Sequence, residues 1–336
     1  MTLGMKAAWY EQTGPAANVL RLGELAAPQP GPGEVLVRVH ASGINPSDTK
    51  MRDGWRNTAM AFPRVVPHCD GAGEVVAVGL GVDRALMHAR VWVYNATALY
   101  DASRAMGTAA QYCALPAEQV VPLSAGTDYV QGACLGVPAC TAHRAVFSDG
   151  PVSGQTILVQ GGAGCVAHYA IQFASLAGAH VITTVSSVQK AAHACAAGAH
   201  DTILYTQEDV VHRVRDLTGS QGVDRIIEVD LGANLSVDVQ IIKTNGHIAS
   251  YSSTSVPEPV FPYYPLAYKG VSLRLVQGFN LPSEARAAAI RDITGWCERG
   301  LLQHAVGAIF PLDQITQAHE AVEQRTVLGN VVLRID

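Results

Sequence analysis

A short apolar run meets a glycine cluster that opens directly into a segment with helical spacing, "TILVQGGAGCVAHYAIQF", at residues 156–173. Val166, Ala170, Ile171 and Ala174 fall on one face of that segment. Within it, Gly162-Ala163-Gly164-Cys165-Val166-Ala167 fits G-x-G-x-x-G/A, the strand–turn–helix that binds a dinucleotide. In this reading Gly162 makes the tight turn and Gly164 lets the backbone approach a pyrophosphate. Ala167 takes the third place, where a small residue lets helix and strand pack closely. The phosphates would rest on N–H groups that no helix carbonyl can take, at the positive end of the helix dipole.

Such a turn needs a parallel sheet to carry it, and the sequence supplies one. From about Gly126 short apolar strands (156–160, 181–185, 202–204, 225–229, 248–251 and 271–276) alternate with helical patterns (166–177, 189–197, 209–218 and 233–242). That alternation predicts an α/β, doubly wound parallel sheet, with its binding crevice at the carboxyl ends of the strands. Upstream, runs such as "VLVRVH" at 35–40, "EVVAV" at 74–78 and "RVWVY" at 90–94 are short and punctuated by Pro and Gly, as in "APQPGPGE" at 27–34. They predict a mainly antiparallel domain over 1–125. A helix at 284–299 precedes a closing strand pair at 306–310 and 331–335, so the division reads 1–125, completed by 280–336, around a nucleotide domain at 126–279.

Composition removes several classes. Of 336 residues, 49% are hydrophobic and 15% charged, which suits a large core and no disordered bias. A net charge of −5 gives no electrostatic case for nucleic acid or an anionic membrane as partner. No run approaches the ~18 apolar residues of a membrane span. The start lacks a signal-like apolar core, and Met5, where the first strand begins, is an alternative initiation point. Seven cysteines (Cys69, Cys113, Cys134, Cys140, Cys165, Cys195 and Cys297) are dispersed without a C-x-x-C pair, the pattern of reduced thiols in a cytoplasmic protein. There is no Tyr-x-x-x-Lys pair for a short-chain reductase and no Gly-x-Ser-x-Gly elbow for a hydrolase.

The cofactor can be read more finely. In a NAD-preferring site an Asp or Glu ~20 residues past the first glycine holds the ribose 2′-OH. Here residues 183–190 read "TTVSSVQK" and contain no acid. Ser186, Ser187 and Lys190 supply hydroxyls and a cation for a 2′-phosphate, with Tyr205 placed to cover the adenine, so the expected cofactor is NADPH rather than NADH. The bland alternative is that Lys190 simply opens an exposed helix.

These residues now resemble a known family: the zinc-free quinone oxidoreductases of zeta-crystallin type, within the medium-chain dehydrogenase/reductase superfamily. The similarity spans nearly the whole chain. It rests on "VHASGINPSDTKMRDG" (39–54), "DGAGEVVAVG" (70–79), "GVPACTAHRAV" (136–146), "VQGGAGCVAHYAIQFA" (159–174), "AGAHDTILY" (197–205), "GVDRIIEV" (222–229) and "LGNVVL" (328–333). The resemblance implies a GroES-like catalytic domain, an inserted Rossmann domain, and a homodimer that pairs the last Rossmann strand, 271–276, edge to edge, which would cover an open apolar edge.

It also implies site residues. Asn45 lies in the family's cleft motif and is the candidate to bind a polar group of substrate or nicotinamide; an Asx-turn before Pro46 is the structural alternative. Lys50 stands where the family often has Tyr, and its ammonium could hold a phosphate, stabilise a developing enolate or quinolate, or be solvated. Thr141 matches a nicotinamide contact, and Ser250 and Tyr251 follow a Rossmann strand into the same crevice, with Ser252 beside them. Asn330 takes the place of the usual Lys after Gly329, and His88-Ala89-Arg90 replaces Gly-Asp-Arg before a core strand. Cys165, at a helix N-terminus, is either an activated thiol or an inert small residue. Loops 95–106 and 252–264 would wall the substrate pocket.

A metal is not expected. The positions of the catalytic zinc ligands in zinc-dependent relatives hold Asn45, Cys69 and a residue near Val137, and one thiol cannot build the three protein ligands zinc needs. Positioning of a hydride donor and hydrogen bonds to the acceptor then carry the reaction. The expected activity is NADPH-dependent reduction of a small quinone or of an enone. A zinc-type alcohol dehydrogenase, and a non-catalytic NADPH-binding crystallin or RNA-binding protein, are the rival classes.

Overall fold

A computed structural model of the chain describes residues 4–57, 59–97 and 104–335, so positions 98–103 of the expected pocket loop lie outside the described residues. The chain divides into two compact units, residues 1–138 with 290–336, and residues 139–289. In the first unit β1 (Gly4–Trp9) and β2 (Arg21–Ala26) form an antiparallel pair around α1 (Ala16–Val19). There follow β3 (Glu34–Ile44), α2 (Pro46–Asp53), β4 (Asp70–Val78), β5 (Arg90–Val93), β6 (Tyr112–Pro116), β7 (Val120–Pro122) and α3 (Tyr129–Gly132). The returning segment adds β14 (Val306–Pro311), α11 (Ile315–Glu323) and β15 (Asn330–Arg334). Among the described residues these make a sheet of order β14-β15-β3-β4-β5-β7, with β6 also paired to β3. Val35, Val37 and Val39 alternate inward on β3 while Arg38 points out, the period-2 pattern that fixes register.

Helix α4 (Gly136–Phe147) spans the boundary, which falls later than the change of sequence pattern at 126. The reason is local. A Cβ at Gly43 would lie 2.1 Å from the Ala133 carbonyl oxygen, and the Val137 N–H donates to Asp70 Oδ2 (2.8 Å), so residues 126–138 are built onto β3 and β4. At the replaced Gly-Asp-Arg, His88 keeps a left-handed backbone (φ 64°) and pairs with Glu74 (3.0 Å), holding a turn that glycine would adopt without strain.

The second unit runs β8 (Thr156–Val159), α5 (Cys165–Leu176), β9 (His180–Val185), α6 (Val188–Ala196), β10 (Asp201–Leu204), α7 (Val210–Leu217), β11 (Val223–Glu228), α8 (Leu231–Ile241), β12 (Ile242–Ser250), α9 (Tyr263–Tyr268) and β13 (Ser272–Leu275); α10 (Ser283–Glu298) spans the boundary back. All pairs are parallel and the order is β10-β9-β8-β11-β12-β13. In order of appearance that is 3-2-1-4-5-6, whose direction reverses between β8 and β11, where such folds bind ligands. Leu158, Ile182, Ile203, Ile226 and Ile248, one from each of five strands, pack with Val214, Leu231, Leu235 and Leu266. Each such fully buried side chain contributes ~1.5–3 kcal/mol relative to exposure. Among the described residues no helix is long and apolar enough to cross a membrane.

A buried polar chain ties α11 to the first unit's sheet. Thr108 Oγ1 donates to the Asp70 carbonyl (2.6 Å), so Ser42 must donate to Thr108 (2.7 Å) and His68 Nδ1 must donate to Ser42 (2.8 Å). His68 Nε2 is then bare, and His319 Nε2 is the donor across the 2.8 Å contact between the rings. Both imidazoles are neutral: burial pushes His68 down to about 3, and burial with the nearby His68 and Arg52 holds His319 well below the usual range. Because the unfolded chain binds these protons near pH 6.5, the pair's contribution is complete above that pH and is lost as pH falls towards 3. The melting temperature should therefore drop more steeply between pH 6.5 and 4 in the native protein than in His319→Asn, which starts lower; parallel slopes would show that the pair is not the source.

Candidate nucleotide-binding and active site

The nucleotide turn sits at the sheet's reversal point, immediately after β8. The tight turn is made by Gly161 (φ 67°), not by Gly162 as the motif suggests. Gly162 has another duty: a Cβ there would lie 2.1 Å from Thr183 Oγ1, so the turn can lie on β9 only with glycine. Its N–H donates to the Thr184 carbonyl (3.0 Å) and the Gly161 N–H to Thr184 Oγ1 (3.0 Å). Gly164 is the N-cap of α5 and no side chain caps the helix. A Cβ on Gly164 would meet nothing nearer than the Gly161 oxygen at 3.5 Å, so protein packing gives no reason for glycine there. An uncapped helix start with open space before it fits a phosphate held by backbone N–H groups. Ala163, Cys165 and Val166 fall in the same turn, and Ala167 is fully buried beneath it.

Burial pushes the Cys165 thiol up to about 11, against a backbone hydrogen bond at the helix start, the direction opposite to activation. Past β9, Lys190 Nζ donates to Ser186 Oγ (2.8 Å) while Ser187 caps α6 by accepting the Lys190 N–H (3.3 Å). Glu208 is turned elsewhere, accepting the Leu204 N–H (2.7 Å) and pairing with Arg213 (2.8 Å). A lysine and serine hydroxyls therefore stand together, half-buried, where an acid would hold a ribose diol. Tyr205 is 51% exposed and follows β10. Thr141 on α4 is buried with the Gly278 backbone against its hydroxyl, since a Cβ at Gly278 would lie 2.0 Å from it. Ser250 donates to the Ser252 carbonyl (3.0 Å), and the Tyr251 phenol is pushed up by burial, Glu228 and Cys165.

In the first unit Asn45 is the N-cap of α2, whose Asp48 accepts the Asn45 N–H (2.7 Å), so the structural reading of Asn45 is a helix cap rather than a simple Asx-turn. Its side chain also does something else. Asn45 Nδ2 donates to Asp70 Oδ2 (2.7 Å), which the Val137 N–H shares. Burial, then Asp48, pushes Asp70 up to about 8, against the Asn45 amide and the N–H groups of Val137 and Asn95. Burial likewise pushes Asp48 up to about 6. Lys50 stacks its ammonium over the Trp55 ring (4.6 Å to the centroid), a contact the sequence did not suggest. Asn330 opens β15 and its amide donates to the Ala305 carbonyl (3.1 Å).

The residues at the zinc-ligand positions do not fit a metal. Asn45 turns its amide nitrogen to Asp70, and Val137 contributes only a backbone N–H. The Cys69 thiol bonds Thr97 (3.0 Å) and is held well above the usual range by burial, Asp48 and Asp70. Among the described residues no group of three or more His, Cys, Asp or Glu is placed to hold one.

A glycine turn at the reversal of a 3-2-1-4-5-6 sheet, in a chain that also carries a GroES-like antiparallel unit completed by its C-terminal segment, defines a medium-chain dehydrogenase/reductase. The alcohol dehydrogenase GroES-like domain family matches residues 31–125 and the zinc-binding dehydrogenase family residues 165–294. A quinone oxidoreductase of Pseudomonas aeruginosa is 30% identical over 320 residues, 94% of this chain and 95% of that protein. A 2-haloacrylate reductase of a Burkholderia species is 29% identical over 319 residues, 92% and 93% of the two chains. A solved mycobacterial structure complexed with NADPH is 29% identical with a TM-score of 0.84, over 98% of this chain and 99% of that one. The chain belongs to the quinone oxidoreductase family.

Three residues escaped the sequence reading, Thr184, Glu228 and Asp238, and the role of a fourth, Asp70, as the acceptor of Asn45 was not legible. Glu228 carried a signal, an acid closing an apolar strand within "RIIEV", whereas Asp70 opens its strand within "DGAG". Asp238 had none, because only the seating of α8 reveals its partner.

Proposed function

We propose that this protein, an NADPH-dependent oxidoreductase, reduces a conjugated carbonyl acceptor, with quinones as the first substrate class. The Lys190–Ser186 pair carries the cofactor reading, standing 2.8 Å apart where a NAD-selective site has an acid. Gly161 to Val166 and the start of α5 would hold the pyrophosphate, with Ser186, Ser187 and Lys190 on the 2′-phosphate and Tyr205 on the adenine. Thr141, Ser250 and Tyr251 would meet the nicotinamide half. The bound cofactor supplies a hydride from its C4 position. Asn45 is the proposed contact for a polar group of acceptor or nicotinamide, and its tie to Asp70 fixes which end of the amide it can offer. Lys50, drawn over Trp55, and Asn330, bonded to Ala305, would face the bound molecules from these internal contacts.

A second acceptor class has specific support. One relative is named for reducing a 2-haloacrylate, an activated alkene, and hydride addition to an enone β-carbon makes the same demands as hydride addition to a quinone. NADPH oxidation measured with 1,4-benzoquinone and with small enones tests both; no turnover with either sinks the reductase reading. Activity should survive dialysis against a chelator. Lys190→Ala should weaken NADPH binding ~10–100-fold, the worth of a charge-assisted bond, and leave NADH binding nearly unchanged. Equal losses for both nucleotides would show that Lys190 does not read the 2′-phosphate.

The chain is also proposed to form a homodimer through β13. That strand is an edge of the six-stranded sheet, and Leu275 on it is 74% exposed. Sedimentation should give a dimer for the native protein and a monomer for Leu275→Lys. A cytoplasmic location is the reading that the free thiols support.

A further inference from the structure

Beneath the glycine turn runs a chain of hydrogen bonds with a single direction. The Gly161 N–H donates to Thr184 Oγ1 (3.0 Å), the Thr184 hydroxyl donates to Gln160 Oε1 (2.7 Å), and Gln160 Nε2 donates to Asp238 Oδ1 (3.2 Å). The carboxyl groups of Asp238 and Glu228 face each other within hydrogen-bonding reach. Asp238 Oδ2 and Glu228 Oε2 are buried, and no other side chain or backbone N–H donates to either of them. Glu228 Oε1 is already taken by the Asp230 N–H and by Asn234 Nδ2 (2.9 Å). Gln160, Thr184, Glu228 and Asp238 are each no more than 4% exposed. These residues stand at the carboxyl ends of β8, β9 and β11, and on α8 above them.

Two carboxyl groups can bond only if one proton lies between them. The donors assign it. Glu228 receives two N–H bonds at Oε1, which favour negative charge there, whereas Asp238 receives one. Asp238 is thus the acid and Glu228 the carboxylate. We propose that Asp238, as the neutral member of this pair, is a positioning residue for the nucleotide turn. Through Gln160 and Thr184 it holds the Gly161 N–H, and with it the backbone that receives the phosphates. This rests on the reading that the turn binds NADPH.

The pair is unusual in what it does to pH dependence. Burial, then Glu228, raises Asp238 well above the ordinary carboxylate range, and burial also raises Glu228, with Asp230 adding to it. The groups facing the pair are Gln160 from the end of β8, Asp230 and Asn234 at the start of α8, and Tyr251 after β12. None of these is a cation. Once the shared proton leaves at alkaline pH, two adjacent buried carboxylates repel, Gln160 loses its fixed partner, and the turn loosens.

The test uses the purified full chain and NADPH fluorescence titration from pH 6.5 to 9. The native Kd should rise ~10-fold across this range, about the worth of one buried hydrogen bond. In Asp238→Asn the amide keeps an acceptor for Gln160 and a permanent donor to Glu228, so the ratio of the Kd values at the two ends should fall to ~1. Thr184→Val should raise the Kd ~10-fold at every pH, and Thr184→Ser should restore it. Melting of the cofactor-free protein gives an independent readout. A raised acid favours the folded state at low pH, so native stability should decline as pH rises above the ordinary carboxylate range, with a shallower decline in Asp238→Asn. A merely structural role would move the melting slopes and leave the Kd profile of Asp238→Asn parallel to the native one, which overturns the inference. Thr184→Val binding as tightly as the native chain also overturns it. A native protein that does not bind NADPH overturns the cofactor reading, and the inference with it.

Discussion

The contact between Gly162 and Thr183 sets the rest of the nucleotide site. With no side chain on Gly162 the turn lies flush on β9, where any Cβ would stand 2.1 Å from the Thr183 hydroxyl oxygen. Two consequences follow from that approach. The turn's first N–H groups reach the carbonyl and hydroxyl of Thr184, and α5 begins at the reversal between β8 and β11. Gly161 then supplies the positive φ that brings the chain round, leaving Gly164 free of any packing duty toward the protein itself. The three glycines thus have three different physical reasons, and only the reason for Gly164 points outward to a ligand.

Both units keep carboxyl groups where water cannot reach them, and in both the neighbours decide which member ionises. Asp48 accepts N–H groups from Asn45 and Cys69 and is the more acidic of its pair. Asp70 takes the Asn45 amide and the Val137 N–H yet rises further, because its burial and the charge on Asp48 outweigh them. These acids favour the folded state at low pH, since the unfolded chain releases their protons near pH 4 and the folded chain near 6 and 8. The neutral pair His68–His319 acts in the opposite sense below pH 6.5. Stability is therefore bounded from both sides, by imidazoles that resist charging and by carboxyls that resist ionising.

Much of the fold was legible because its elements are periodic in the way that burial demands. The strands of the second unit lie within a residue or two of the apolar runs, except β12, which starts at Ile242 rather than at 248. Its first half, "IKTNG", reads as a turn, and Asn245 does take a left-handed backbone, but the strand continues through it beside β11. Helix α2 was missed because "PSDTKMRD" is polar; its signal lay in its ends, the Asn45–Asp48 capping box and Gly54 in the left-handed region. A pattern of three glycines cannot say which has positive φ; the backbone gives it to Gly161, while Gly162 is required by its approach to Thr183. Lys50 over Trp55 and the reach of Asn45 to Asp70 are contacts between residues five and twenty-five positions apart, and only folding sets them.

The positions matched to catalytic zinc ligands in dehydrogenase relatives carry a different set of contacts here. In place of a ligand, Asn45 presents an amide hydrogen to Asp70, and the N–H of Val137 converges on the same oxygen. A carboxyl group has become the object of the surrounding donors. Cys69, the one thiol left, is turned to Thr97 in a pocket whose burial and two acids oppose the thiolate a metal would require. Restoring a thiol at position 45 alone would remove the amide that favours the Asp70 ion and place a second protonated thiol beside two acids, so a single reversion moves the pocket away from metal binding.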